Sequence, residues 1–99
     1  MIKHIVMWKL KDEAHGNDKN TNARLIKEKL EHLNGKIDGL QKIEVGIDVV
    51  GSGNYDVVLY SELASTEALD TYQNHPLHQA ALPFIREAVS SRTAVDYEA

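Results

Sequence analysis

The chain has 99 residues, 42% of them hydrophobic and 26% charged, with a formal net charge of −4 at pH 7 and no cysteine. We expect one domain over residues 1–99 without disulfides or thiolate chemistry, located in the cytoplasm. Because no apolar run reaches the roughly 18 residues that a membrane span needs, and because the basic residues are scattered, we expect neither a membrane nor a nucleic-acid partner.

The first predicted element is a strand over residues 2–10, IKHIVMWKL, which is rich in branched and aromatic residues. Both of its faces are substantially apolar, so the strand should be covered on both sides. The polar run KDEAHGNDKNTN that follows predicts a loop. One face of the strand carries Ile2, His4, Val6, Trp8 and Leu10, and the other carries Lys3, Ile5, Met7 and Lys9.

A helix is predicted from about residue 21 to residue 33, because leucine and isoleucine recur there at helical spacing. The pair Asn34-Gly35 is typical of a helix end. Residues 41–50 alternate apolar and polar side chains and predict a strand. GSGN at 51–54 then predicts a hairpin turn into a further strand over 55–63.

Two helices are predicted next. Ser65 is a suitable N-cap for a helix that should end near residue 73, because His75 precedes Pro76 and is disfavoured in a helix. Pro76 suits the first turn of another helix, which His75 would cap. We expect a kink or a restart at Pro83, since proline removes one backbone hydrogen bond. Residues 91–98 alternate again and predict the last strand.

The order β-α-β-β-α-α-β predicts an α+β domain of the ferredoxin-like type, with helices on one face of its sheet. We expect Val6, Trp8 and their cross-strand partners to form the other face, which would be apolar and uncovered. A monomer of this size rarely exposes such a patch, so a homodimer joined face to face should bury it. The two sheets would then form a dimeric α/β barrel with a cavity between the protomers.

Three segments resemble the stress-responsive alpha/beta-barrel (Dabb) domain family, namely IKHIVMWKLKDEA, YDVVLYSELASTEALDTYQNHPLHQ and VDYE. The resemblance covers essentially the whole chain, and HPxH after YQN is its most specific part. It implies a dimeric α/β barrel. The family contains the plant olivetolic acid cyclase, which closes a linear polyketide by a cofactor-free aldol condensation. The resemblance places a general-base histidine at His78, a tyrosine that holds the substrate at Tyr72, and a further pocket histidine at His4.

The chemistry of these residues fits that implication and leaves alternatives open. A neutral imidazole at His78 can take a proton from an acidic C–H or O–H group at cellular pH. The Tyr72 hydroxyl can donate to a carbonyl oxygen on which enolate charge develops. Alternatively, His78 bonds to backbone or water at a helix start. His4 is either an anchor in the cavity or a satisfied core histidine, and Trp8 is either cavity wall or core.

The sequence predicts no metal site, since His75 and His78 lack the further ligands that zinc requires. Two functions remain. The first is a cofactor-free cyclase, lyase or isomerase that acts on a small apolar carbonyl or aromatic compound, with His78 and Tyr72 as catalytic residues. The alternative is a non-catalytic, structural or stress-response homodimer whose barrel is filled by the same side chains. In the first hypothesis the substrate pocket is shaped by His4, Val6 and Trp8.

Overall fold

Four strands form one antiparallel sheet, and three helices pack on it, in a computed structural model that describes residues 1–51 and 53–99. The strand order β4-β5-β1-β6 and the chain order are those of the predicted α+β ferredoxin-like fold. In the described part of the chain, no helix is long and apolar enough to cross a membrane. The elements are β1 (Ile2–Leu10), β2 (Glu13–Ala14), β3 (Asn17–Asp18), α1 (Lys19–Glu31), β4 (Leu40–Ile47), β5 (Val57–Leu63), α2 (Thr66–Asn74), α3 (Pro76–Ala88) and β6 (Val89–Glu98).

The N-cap residues determine where each helix begins. Ser65 accepts a hydrogen bond from the Ala68 N–H at 3.1 Å, which confirms it as the N-cap of α2. His75 accepts from the Leu77 N–H through Nδ1 at 3.1 Å, which confirms it as the cap of α3. The first helix begins earlier than predicted, because Asp18 caps it.

Three local predictions differ from the structure. The predicted loop contains the β2–β3 hairpin, whose turn residues His15 and Gly16 both have positive φ, as the tight hairpin turns require. Helix α3 continues through Pro83, so the expected restart is wrong. The strands β4 and β5 are shorter than predicted, and the turn expected over 51–54 includes Ser52, which lies outside the described residues.

The helices cover the face of β1 that carries His4, Val6 and Trp8, whose exposed fractions are 4%, 1% and 6%. The prediction that Val6 and Trp8 form the uncovered face is therefore wrong. Its physical reason lies on the opposite face, where Lys3 and Lys9 alternate along the same strand. If these two lysines lay under the helices, their ammonium groups would lose their hydration. On the open face, the aliphatic part of each lysine side chain lies along the sheet and the charged end stays in water.

The uncovered face of the sheet is apolar at its centre and polar at one end. Ile5 lies at the centre, directly opposite Tyr60 on β5 and opposite Val95 on β6. At the polar end, the Tyr60 hydroxyl donates to the Glu62 carboxylate at 2.5 Å. Several large apolar side chains of this face are exposed, namely Met7 (38%), Val95 (54%) and Tyr97 (44%).

Helix α2 approaches the turn before β4 so closely that only glycine fits at residue 39. Gly39 has a φ of +85°, and a Cβ added there would lie 2.6 Å from the Ala68 Cβ. Gly35 has a similar φ of +75° but nothing within 4 Å of its added Cβ, so it is the matched control.

We expect Gly35→Ala to lower the free energy of unfolding by about 1 kcal/mol through backbone strain alone, and Gly39→Ala by about 3 kcal/mol through strain and overlap. Urea denaturation measures both, and equal losses would contradict the close approach of α2.

Candidate functional site

A cavity of about 660 Å³ lies between the helices and the sheet of a single protomer. Its volume falls within the range of small-molecule binding sites. The cavity therefore lies on the predicted face of β1, the one with Val6 and Trp8, but the helices of the same protomer cover that face instead of a second protomer. Its apolar wall consists of Val6, Trp8, Leu30, Leu59, Leu82, Ile85 and Val89, and its polar wall of His4, Asp70, Gln73, Asn74, His78, Gln79, Arg86 and Arg92.

His78 lies in the first turn of α3, partly buried in the cavity wall. Its Nδ1 lies 3.1 Å from the carbonyl oxygen of Gln73. A carbonyl oxygen only accepts, so Nδ1 carries the proton and Nε2 keeps a lone pair. Burial lowers the pKa of His78 below its ordinary value, the bond to Gln73 opposes this, and the charges of His4 and Arg86 lower it further. The imidazole is thus neutral at pH 7, in the form that a general base requires.

Tyr72 is fully buried in α2, directly beside His78. The two ring centroids are 4.5 Å apart, and the Tyr72 ring meets the His4 ring edge-on at 6.2 Å. Tyr72 is not among the residues that line the cavity, so it lies behind the wall that His78 forms. Its hydroxyl is the one buried side-chain polar atom of the described residues without a hydrogen-bond partner. Burial raises the pKa of Tyr72, so the hydroxyl stays protonated and available as a donor.

His4 lines the cavity from the sheet and is held from behind by a carboxylate. Its Nδ1–H donates to Asp96, which lies directly opposite it on β6. This bond fixes the orientation of the imidazole ring. Asp96 could not be predicted as the partner of His4, because the pairing of residues 92 positions apart depends on strand register, which the sequence alone does not show.

The structure brings four of the five predicted residues to one cavity, and Tyr72 packs against two of them, His4 and His78. His75 does not line the cavity; its side chain caps α3 by accepting a hydrogen bond from the Leu77 N–H. Within residues 1–51 and 53–99, no three His, Cys, Asp or Glu side chains come together in a way that could hold a metal ion.

The two arginines of the cavity wall were also missed. Arg86 follows His78 by eight residues on α3, a spacing that keeps two side chains near one helix face, so the helical pattern contained a signal for it. Arg92 lies at the start of the last strand, and no pattern in the sequence connects it with α3.

Comparison with known proteins gives matches over nearly the whole chain. The profile of the family described as the stress responsive A/B barrel domain (Dabb) matches residues 2–99. A protein of Streptomyces coelicolor described as uncharacterised is 30% identical over 99 residues, which are 99% of each chain.

Solved structures share the fold. A protein of Bacteroides fragilis, described as dimeric and ferredoxin-like, is 37% identical with a TM-score of 0.88, covering 98% of this chain and 94% of its own. A dimeric ferredoxin-like protein of Thermobifida fusca is 28% identical with a TM-score of 0.83, covering 97% and 88%. A hydroxynitrile lyase from Passiflora edulis is 13% identical with a TM-score of 0.79, covering 97% and 90%, and shows likeness of fold alone.

The unpartnered hydroxyl of Tyr72 predicts an unusual mutational result. A buried donor without a partner costs about 1–3 kcal/mol, so Tyr72→Phe should leave the free energy of unfolding unchanged or raise it by up to about 1 kcal/mol. Tyr60→Phe, which removes a bonded hydroxyl, is the control and should not stabilise. Urea denaturation of both variants is the measurement. A loss of 1 kcal/mol or more in Tyr72→Phe would mean that the hydroxyl is bonded in the free protein.

Proposed function

Because the chain belongs to the stress-responsive A/B barrel (Dabb) domain family, we propose that its cavity binds a small, mostly apolar carbonyl or aromatic compound, on which His78 acts as a general base without a cofactor. One observation carries the proposal: His78 lines the cavity with its Nδ1–H bonded to Gln73, which leaves the lone pair of Nε2 for a ligand. The reaction is a cyclisation, a lyase reaction or an isomerisation.

The proton transfer proceeds as follows. Nε2 of His78 takes a proton from the carbon next to a carbonyl group, and the electrons of that C–H bond move onto the carbonyl oxygen as an enolate. His78 becomes an imidazolium whose Nδ1–H still donates to Gln73, which stabilises the charge. The enolate carbon then attacks a second carbonyl, expels a leaving group or is reprotonated elsewhere. In each case His78 returns its proton, so no oxidant or reductant is consumed.

Tyr72 is proposed to hold the carbonyl oxygen. Its unpartnered O–H has a raised pKa, and a hydroxyl that lacks a partner in the free protein gains one when an oxyanion forms beside it. For this contact the substrate oxygen must reach the space between His4 and His78, since Tyr72 packs against both rings. His4, oriented by Asp96, is the second polar group there.

The alternative function is a non-catalytic structural or stress-response homodimer with a filled barrel. The cavity favours the first proposal, because Trp8 lies in its wall and still leaves about 660 Å³ beside His78. Interior space of that size, lined by polar groups, contributes nothing to packing, whereas a ligand would occupy it.

We further propose that the chain forms a homodimer through the uncovered face of its sheet. The relatives from B. fragilis and T. fusca are described as dimeric. The exposed apolar side chains of Met7, Val95 and Tyr97 give this face the apolar centre that an interface between two copies would bury.

The base is tested with 1-phenyl-2-propanone, an uncharged ketone, in deuterated buffer. We expect the protein to accelerate exchange of the C–H next to the carbonyl, and His78→Ala to lower the catalysed rate by about 100-fold or more while the protein stays folded. His32→Ala is the control, since His32 lies outside the cavity. Because the pKa of His78 is lowered, the catalysed rate should rise with pH and reach half of its plateau below the ordinary 6.5. NMR measures the exchange, and an equal rate in wild type and His78→Ala would exclude this base.

The interface is tested by sedimentation equilibrium. Wild type should have twice the chain mass of 11.1 kDa. Val95→Glu places a charge on the uncovered face and should give monomer, because a buried unpaired carboxylate destabilises an interface. Val49→Glu is the control, in a loop residue that is 92% exposed. A Val95→Glu protein that remains dimeric would place the interface elsewhere.

A further inference from the structure

Two arginines line the cavity without a carboxylate partner. Arg86 from α3 and Arg92 from β6 are both exposed on the cavity side, and neither makes an ion pair within the described residues. The chain carries a net charge of −4 and has only one other arginine, Arg24. Two of its three guanidinium groups thus lie on one cavity of an acidic protein.

The charges of the cavity wall sum to a single positive charge. The arginines contribute two positive charges, and Asp70 on α2 contributes one negative charge. The Asp70 carboxylate accepts from Asn74 of its own helix at 3.2 Å and makes no ion pair with either arginine. His4 already has Asp96 as its partner, and His78 is neutral. One monoanion would therefore neutralise the cavity.

The positive groups and the proposed base lie at separate points of one cavity. Arg86 follows His78 by eight positions on α3, a rise of about 12 Å along the helix. Leu82 and Ile85 line the cavity between them, and Trp8 lines it from the sheet. Helical side chains lean towards the N-terminus, which directs Arg86 back along this space towards His78.

We propose that the ligand of this cavity is an amphipathic monocarboxylate, whose carboxylate pairs with Arg86 and Arg92 while its apolar body lies along α3 towards His78. This rests on the proposed function, since it names the substrate class of the same cavity. Guanidinium groups bind carboxylates through two parallel hydrogen bonds in one plane. An uncharged amide of the same chain length cannot form this bidentate ion pair. A phosphate monoester has the same donors available but brings about two charges where the cavity offers one.

The test compares three ligands of equal chain length: octanoate, octanamide and octyl phosphate. Binding is followed by the fluorescence of Trp8, the single tryptophan of the chain, and by calorimetry. The variants are Arg86→Gln and Arg92→Gln, with Arg24→Gln as the matched control on α1, outside the cavity. All three arginine variants should fold, and thermal melting verifies this.

We expect octanoate to bind more tightly than octanamide and octyl phosphate. Each cavity variant should weaken octanoate by about tenfold or more and leave octanamide unchanged, because only the charged pair is lost. Arg24→Gln should bind all three ligands as wild type does.

Three results would overturn the proposal. Equal affinity for octanoate and octanamide would mean that the arginines do not select an anion. Tighter binding of octyl phosphate would assign the cavity to a phosphate ester instead. No binding of any of the three would exclude an amphipathic monocarboxylate. The base at His78 is judged separately, because the exchange experiment uses an uncharged ketone that does not need the arginines.

Discussion

The contact between His78 and the carbonyl oxygen of Gln73 is the interaction on which the site depends, and the break between α2 and α3 produces it. Pro76 forces His75 into an extended conformation, with ψ of 138°, so α2 ends there. In an unbroken helix the Gln73 carbonyl would accept from the Leu77 N–H, but that N–H donates to His75 instead. The freed carbonyl accepts from His78 Nδ1 and from the Gln79 side chain. The segment NHPLHQ thus ends one helix, caps the next and fixes the tautomer of the proposed base.

The sheet determines what surrounds that base. The face of β1 that carries the lysines is left uncovered, so the helices pack on the other face, which carries His4, Val6 and Trp8. The same arrangement creates a cavity under α3 with an apolar and a polar wall, and it leaves a partly apolar surface on the outer face of the sheet. Polar and apolar side chains share the cavity wall about equally, so the cavity offers an apolar surface to the body of a ligand and polar groups to its functional end.

The sequence was sufficient for the four strands of the sheet, the three helices and their order, because each of these elements has its own apolar period. The β2–β3 hairpin and the cap of α1 at Asp18 were not predicted. Ser65 and His75 were identified as caps from local chemistry alone. The covered face of β1 was assigned wrongly although Lys3 and Lys9 indicated the answer, since the apolar count of both faces outweighed the two charges.

The parts of the site that could not be predicted depend on contacts between distant segments. Asp96 reaches His4 only through the register of β1 with β6, and Arg92 reaches the cavity only because β6 lies beside β1. The burial of Tyr72 behind His78 depends on how α2 and α3 pack, which neither helix encodes by itself. The family resemblance therefore located the proposed base, whereas the residues around it required the three-dimensional structure.

The most direct test of this account is ¹⁵N NMR of the His78 ring across a pH titration. The account predicts a neutral ring at pH 7 with the proton on Nδ1 and a titration midpoint below the ordinary 6.5. In concentrated urea, where the chain is unfolded, the midpoint should return to about 6.5. A neutral ring with its proton on Nε2 would leave no lone pair there for a substrate, and the proposed base would be wrong. A midpoint above 6.5 in the folded protein would contradict the lowered pKa of His78.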